Sequence, residues 1–211
     1  KGVPADIDPG KYISVVEMME ESFKKFAKRT AYSFMGKEQT YAQVDSLSEA
    51  FGTYLQGLGL VKGDRVAMMM PNVLQYPIAV AGILRAGFTV VNVNPLYTAR
   101  ELEHQLKDSG AKAIVILENF ASTLEKCLAA TPVKHIVLCA MGDQLGLIKG
   151  ALVNYVVRNK KKLVPAFSLP TAVRFNVAIA KGTGGKLKKV AIKPDDVAVL
   201  QYTGGTTGVS K

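Results

Sequence analysis

Residues 65–93 decide the fold, and they read RVAMMMPNVLQYPIAVAGILRAGFTVVNV. The stretch predicts a buried strand over 65–70, a helix over 75–86 that ends at Gly87, and a second strand over 88–93. Both strands are continuous apolar runs, a pattern typical of parallel strands that are covered on both faces. The stretch is therefore a strand–helix–strand crossover, which we expect to be right-handed.

The same alternation extends in both directions from this stretch. Toward the C-terminus it predicts a helix over 98–110, strands over 113–117, 135–139 and 197–202, and a helix over 120–130. Capping-box spacing marks three helix starts, at Ser14, Thr40 and Thr98. The chain is therefore predicted to have an α/β fold, with a largely parallel sheet flanked by helices on both faces.

The composition narrows the class of protein further. The chain has 211 residues, 48% hydrophobic and 21% charged, which is typical of a globular protein and excludes a disordered chain, a collagen-like repeat and a coiled coil. Only two cysteines and two histidines are present, and they are scattered, so neither a disulfide framework nor a zinc site is expected (Cys127, Cys139, His104, His135).

The charge-free run 66–84 contains two prolines, which favours a strand and a helix over a membrane span. With no apolar leader visible, we expect a reducing, cytoplasmic setting.

The net charge of +10 comes entirely from the last 65 residues. Residues 1–146 hold 15 basic and 15 acidic side chains, whereas residues 147–211 hold 12 basic and two acidic ones. A basic surface attracts the phosphates of nucleotides or lipids. No nucleic-acid-binding motif is visible, so nucleic acid is not an expected partner.

A helix is predicted over 147–163. Its apolar face comprises Ile148, Ala151, Leu152, Tyr155 and Val156, and five basic residues accompany it. Two interpretations stay open: segment 148–162 lies on an anionic membrane surface, or it is a solvated basic face above an ordinary core contact.

The last predicted strand leads directly into a loop of small, hydroxyl and basic residues, namely Tyr202, Thr203, Gly204, Gly205, Thr206, Thr207, Gly208, Val209, Ser210 and Lys211. Glycines let backbone N–H groups converge on phosphate oxygens, and the hydroxyls and the lysine add donors. The loop is not a Walker A motif, because Lys211 follows Gly208 by three positions. It suits a nucleoside triphosphate, and the alternative is an ordinary flexible turn.

This loop resembles the phosphate loop of the adenylate-forming superfamily, which includes acyl-CoA synthetases, luciferases and peptide-synthetase adenylation domains. The segment 83–95, ILRAGFTVVNVNP, is similar to a second segment of that superfamily. Within the superfamily, the segment 94–102, NPLYTAREL, resembles the bacterial long-chain fatty-acid–CoA ligases. The segments 63–67 and 70–72 also agree with that resemblance. The resemblance runs from about Tyr12 to Lys211.

The resemblance implies a two-step ligase that activates fatty acids for lipid metabolism. A fatty acid and ATP form acyl-AMP and pyrophosphate, and CoA then displaces AMP. Residues 202–211 would bind ATP, mainly through Thr203, Thr206, Thr207 and Lys211, with Mg²⁺ on the phosphates. The protein would be cytoplasmic, or peripheral on the inner face of the membrane.

The resemblance also implies that 1–211 is the N-terminal part of the AMP-binding large domain, truncated at the phosphate loop, with a less regular basic segment at 147–195. The catalytic residues and the C-terminal catalytic domain are expected beyond Lys211, so this chain alone is expected to be inactive. Two alternatives stay open: a stand-alone module that binds a nucleotide or an anionic lipid, and a short-chain or aryl acid ligase of the same superfamily.

Overall fold

The structure is a computed structural model that describes residues 6, 8 and 10–203. Its strands are β1 (Thr30–Phe34), β2 (Lys37–Thr40), β3 (Arg65–Met69), β4 (Thr89–Asn92), β5 (Ala113–Leu117), β6 (His135–Cys139), β7 (Val173–Arg174) and β8 (Val199–Gln201). Its α-helices are α1 (Val15–Lys25), α2 (Tyr41–Gln56), α3 (Gln75–Arg85), α4 (Ala99–Ser109), α5 (Ala121–Cys127), α6 (Leu147–Tyr155) and α7 (Phe175–Gly182).

Six of the strands form one sheet in the order β7-β6-β5-β3-β4-β8, and every neighbouring pair is parallel. The remaining two, β1 and β2, form an antiparallel hairpin. The chain moves from β3 to β4 on one side and then crosses back to β5 on the other side. This reversal is the topological switch point at which open α/β sheets bind their ligands.

Helices cover both faces of the sheet, as predicted. Val66 and Met68 of β3 face a core built with α2, α3 and α7. Ala67 and Met69 face the opposite way, into a core built with α4 and α5. Because both faces are buried, the central strands can be apolar at successive positions, which explains the continuous runs in the sequence.

The predicted helix starts are confirmed at two complete capping boxes and one partial one. At Thr40 and Thr98 the side-chain and backbone hydrogen bonds of the box are both present. At α1 the Ser14 hydroxyl accepts a hydrogen bond from the Glu17 N–H, but the Glu17 carboxylate accepts from the N–H of Ile13 instead of Ser14. Gly110 ends α4 with φ +62°, a left-handed conformation that favours glycine.

The structure differs from the sequence prediction in two helices. The helix predicted over 120–130 is α5 flanked by 3₁₀ turns, Glu118–Phe120 and Leu128–Ala130. The helix predicted over 147–163 ends as α6 at Tyr155 and continues as a π-helical turn, Val156–Lys160. Within the described residues, Ile148 and Leu152 on its apolar face are exposed to solvent and do not pack into the core of the sheet.

Three elements were not predicted from the sequence. The strands β2 and β7 are short and carry few apolar residues. The helix α7 lies between proline- and glycine-containing segments, which obscure its pattern, and its Phe175, Ala178 and Ile179 pack against α2. Cys127 and Cys139 are buried, and His104 is exposed. No described helix is long and apolar enough to cross a membrane.

Candidate functional site

The candidate site lies at the carboxyl edge of the parallel sheet. The strand β8 ends there at Gln201, and the chain continues through Tyr202 and Thr203. The other predicted loop residues lie outside the described residues (Gly204, Gly205, Thr206, Thr207, Gly208, Val209, Ser210 and Lys211). The structure therefore shows where the predicted phosphate loop starts, at the edge where ligands of open α/β sheets bind.

Two helices begin at this same edge, because each follows a strand that ends there. The helix α3 follows β3, and α4 follows β4. Helix N-termini carry a partial positive charge that favours anions. The carboxyl ends of β3 and β4 are therefore each followed by a helix start that favours an anion.

The strand β8 reaches this edge through a short ladder with β4. Three residue pairs form it, and the last pair is Asn92 with Gln201. The Asn92 side-chain amide donates to Gln201 Oε1 at 2.8 Å, and Thr89 Oγ1 donates to the Val197 carbonyl at 2.8 Å. The Tyr76 hydroxyl of α3 donates to Asn92 Oδ1 at 2.9 Å. The exit from β8 is thus tied to β4 and α3 by side chains as well as by backbone.

Tyr202, the first predicted loop residue, has its hydroxyl engaged by α4. It donates to the carboxylate of Asp108, and the ring packs against the core that contains α4 and α5. Burial and this negative acceptor raise the pKa of Tyr202 to about 12, so the hydroxyl stays protonated at neutral pH. In the described structure this side chain anchors the start of the loop.

Sequence reasoning missed a second polar group at the same edge. Glu118 follows β5 directly, and its side chain is 1% exposed. Its carboxylate accepts from Arg158 Nε at 2.7 Å, from Arg158 Nη2 at 2.8 Å and from Arg174 Nη1 at 2.7 Å. An acidic residue immediately after an apolar strand is the signal that could have identified it.

The nearby Asp143 follows β6 and bonds to the backbone. Its carboxylate accepts from the Ala140 N–H at 2.7 Å. Burial raises the pKa of Asp143, and the negative charge of Glu118 adds to the increase, while the Ala140 bond and the arginines act in the opposite direction. Among residues 6, 8 and 10–203, no group of three or more His, Cys, Asp and Glu side chains could hold a metal ion.

Comparison with known proteins identifies the relatives of this chain. The family model described as AMP-binding enzyme matches residues 19–211. A long-chain-fatty-acid–CoA ligase of Escherichia coli O157:H7 is 56% identical over 210 residues, which are 99% of this chain and 37% of that protein. A ligase of the same name from Haemophilus influenzae is 52% identical over 212 residues, which are 100% of this chain and 38% of that protein. The chain thus spans well under half the length of these curated relatives.

A solved structure shows the same fold at low sequence identity. The crystal structure of a long-chain-fatty-acid–CoA ligase from Archaeoglobus fulgidus superimposes with a TM-score of 0.70 at 22% identity, over 93% of this chain and 35% of that one. The fold likeness agrees with the sequence match over nearly the whole chain. With both lines of evidence, the chain belongs to the AMP-binding enzyme family.

Proposed function

We propose that this chain is part of an ATP-dependent long-chain fatty-acid–CoA ligase, in which residues 202–211 hold the phosphates of ATP. The observation that carries the proposal is the exit of β8, which brings Tyr202 and Thr203 to the carboxyl edge of the parallel sheet. The names of the relatives that are 52–56% identical support long-chain fatty acids as the substrate class. In this proposal, 1–211 is the first part of the AMP-binding large domain.

The proposed reaction has two balanced steps. A carboxylate oxygen of the fatty acid attacks the α-phosphorus of ATP, the bond to the bridging oxygen breaks, and acyl-AMP and pyrophosphate form. The sulfur of CoA then attacks the acyl carbon, its thiol proton is lost, and AMP leaves. Negative charge shifts between phosphate oxygens in the first step, so we propose that the loop hydroxyls, its N–H groups and Lys211 bind that charge. Mg²⁺ is proposed to neutralise part of the charge when it is bound to the phosphates.

The test is acyl-CoA formation by the full-length protein. We expect kcat/KM to rise with chain length across a series of fatty acids, whereas a preference for benzoate or acetate would favour the short-chain or aryl acid ligase. The variant Lys211→Ala is expected to lower kcat/KM for ATP by about a hundredfold, the effect of removing one charge-stabilising group. The control Lys181→Ala removes an exposed lysine of α7 and is expected to leave kcat/KM unchanged.

The 211-residue chain itself provides a second test. We expect it to form no acyl-CoA and to bind ATP weakly in calorimetry, because most of the contacts of a nucleotide site require more than one loop. A submicromolar Kd without turnover would instead support the stand-alone binding module, and turnover by this chain would contradict the proposed division of the enzyme.

We also propose that segment 148–162 lies on an anionic membrane surface, because its apolar side faces outward. The exposed fractions are 94% for Leu147, 88% for Ile148, 61% for Leu152 and 51% for Tyr155. These apolar side chains are exposed, and they are followed by the exposed Lys160, Lys161 and Lys162. Such a combination suits the boundary between lipid headgroups and acyl chains.

The polar side of the same segment holds it to the protein. Arg158 pairs with Glu118, and the Asn154 side-chain carbonyl accepts from the Gly142 N–H at 2.7 Å. Asn119 donates to the Leu163 carbonyl at 3.0 Å. An ordinary surface helix places its apolar side inward, so this arrangement leaves the apolar side available to lipid.

Sedimentation with vesicles tests the membrane surface. We expect the full-length protein to bind vesicles that contain phosphatidylglycerol and to bind pure phosphatidylcholine vesicles much less. Replacing Lys160, Lys161 and Lys162 by Gln is expected to weaken binding, since each basic residue near an anionic surface contributes about 1 kcal/mol. The matched control replaces Lys186, Lys188 and Lys189 by Gln. Equal binding to both kinds of vesicle would contradict the proposal. Binding by the 211-residue chain when the full-length protein does not bind would also contradict it.

A further inference from the structure

The side chains of Asn92 and Gln201 join two strands that lie far apart in the sequence. They are register partners at the carboxyl end of the β4–β8 ladder, 109 positions apart. The Asn92 amide nitrogen donates to Gln201 Oε1 at 2.8 Å, and the Asn92 amide oxygen accepts from the Tyr76 hydroxyl at 2.9 Å. One asparagine side chain therefore links α3 to the end of β8.

The backbone of Asn92 is fixed from the opposite face of the sheet. The buried Gln105 of α4 donates its Nε2 to the Asn92 carbonyl at 2.7 Å. Asn92 is thus held by α3 through its side chain and by α4 through its carbonyl. A residue fixed from both faces is a rigid point to which a neighbouring strand can be attached.

The strand β8 has a short attachment of this kind. It pairs over only three residues, and β4 is its only partner among the described strands. Its side chains at Val199 and Gln201 are exposed, so little apolar burial holds its outer side. Gln201 is the last paired residue before Tyr202 and Thr203, which makes its side-chain bond the final tie before the predicted loop.

We propose that Tyr76, Asn92 and Gln201 are positioning residues, whose hydrogen-bonded chain sets the direction in which the backbone leaves β8 and enters the phosphate loop. This inference rests on the proposed function of residues 202–211. None of the three needs to touch ATP for this role. The chain of bonds acts on the loop through the backbone of Gln201, so its loss should displace the phosphate-binding groups together.

The expected kinetic effect is specific for one substrate. In the full-length protein, Asn92→Ala removes both side-chain bonds and is expected to raise KM for ATP about tenfold, as the loss of one or two hydrogen bonds predicts. KM for the fatty acid should change little. Tyr76→Phe removes one bond and should have a smaller effect in the same direction. Gln201→Ala should add little in the Asn92→Ala background, because both variants remove the same bond.

A matched control separates positioning from general stability. Gln56 also uses both atoms of its amide: Nε2 donates to the Lys188 carbonyl at 3.0 Å, and Oε1 accepts from the Lys188 N–H at 2.9 Å. Gln56→Ala should lower the melting temperature about as much as Asn92→Ala does and leave KM for ATP unchanged. The exchanged pair Asn92→Gln with Gln201→Asn should recover most of the ATP affinity.

Hydrogen exchange tests the inference independently of activity. In the protein without ATP, Asn92→Ala should speed exchange at the amides of residues 199–203 several-fold, and Gln56→Ala should not. Activity of the unmodified protein decides the proposed function on its own. Unchanged exchange in Asn92→Ala would overturn the positioning role whether or not the protein is active. In an active protein, an equal rise in KM for ATP in Gln56→Ala and Asn92→Ala would also overturn it.

Discussion

Glu118 and Arg158 form a two-point ion pair that holds the π-helical turn after α6 against the carboxyl end of β5. The carboxylate is 1% exposed, and the two hydrogen bonds measure 2.7 and 2.8 Å. Arg174 adds a third bond at 2.7 Å. A buried carboxylate requires such compensation, because removing its charge from water is unfavourable. The pair therefore fixes the polar side of the segment inward and leaves its apolar side outward.

The first prediction concerns the charge of this pair. Glu118→Gln keeps the shape of the side chain but removes the negative charge, and we expect it to lower the free energy of unfolding by about 1.5 kcal/mol. The value is moderate because both arginines are 40–47% exposed and can return to water. Urea denaturation measures it. The control Glu103→Gln, in an exposed pair with Lys107, should change stability by no more than about 0.5 kcal/mol, and equal losses would refute the role of burial.

The second prediction concerns Asp64 and pH. Burial favours a raised pKa for this carboxyl, but hydrogen bonds from Lys112 and the Val61 N–H and the charges of Lys112 and Arg65 lower the pKa of Asp64 below its usual value. The folded state therefore binds its proton more weakly than the unfolded state. Its stabilising contribution is present above about pH 4 and is lost as the pH falls through the lowered pKa.

Asp64→Asn tests this contribution, because the amide oxygen can still accept from Val61 while the charge is lost. We expect the variant to be less stable by about 1 kcal/mol at pH 7, since Lys112 is half exposed. The difference should shrink as the pH is lowered toward 3. The exposed Asp195→Asn serves as the control, and a difference for Asp64→Asn that is the same at pH 7 and pH 3 would disprove the assignment.

The parallel sheet was predictable because burial on both faces leaves a local signal. Runs such as Ala113–Leu117 are apolar at every position. The helix between β4 and β5 is also marked in the sequence, by a capping residue at its start, Thr98, and a glycine at its end, Gly110. Strand order is not local. The pairing of β4 with β8, and hence the contact of Asn92 with Gln201, depends on how the sheet assembles, so neither could be predicted from the sequence.

The orientation of α6 shows the same limit. The spacing of Ile148 and Leu152 indicates that an apolar side exists, but not which way it faces. Tertiary bonds from Asn154 and Arg158 decide that orientation. For the site, the residue types at 202–211 predict a phosphate loop, and this stays a prediction, whereas Glu118 acquires its partners only through folding.

The third prediction concerns the two thiols. Burial raises the pKa of Cys127 to about 11 and raises that of Cys139 well above its usual value. Both side chains are buried, so a reagent cannot reach the sulfur atoms. Because the pKa values are raised, both thiols also stay protonated at pH 7.5, and the protonated form is not the nucleophile. We expect no reaction of the native chain with an aromatic disulfide reagent, and two thiols per chain to react after unfolding in urea. Rapid reaction of either thiol in the native chain would contradict the described packing.

The fourth prediction concerns the contact between α2 and α3. A Cβ added at Gly82 would lie 2.9 Å from the Ser48 carbonyl and 2.9 Å from Phe51 Cδ1. The close approach is reciprocal, because a Cβ at Gly52 would lie 2.9 Å from the Gly82 carbonyl. The backbones of α2 and α3 therefore approach each other so closely at Gly52 and Gly82 that a side chain at either position would collide with the other helix.

Helix propensity and packing predict opposite signs for Gly82→Ala. Replacing glycine by alanine inside a helix favours folding by about 1 kcal/mol, whereas forcing two packed helices apart costs about 1–3 kcal/mol. Because the nearest atoms include backbone, we expect packing to dominate and the variant to be less stable by about 1–2 kcal/mol in urea denaturation. At Gly10 an added Cβ would meet nothing closer than 3.4 Å, so Gly10→Ala should be nearly neutral. A stabilised Gly82→Ala would show that α2 and α3 can separate freely.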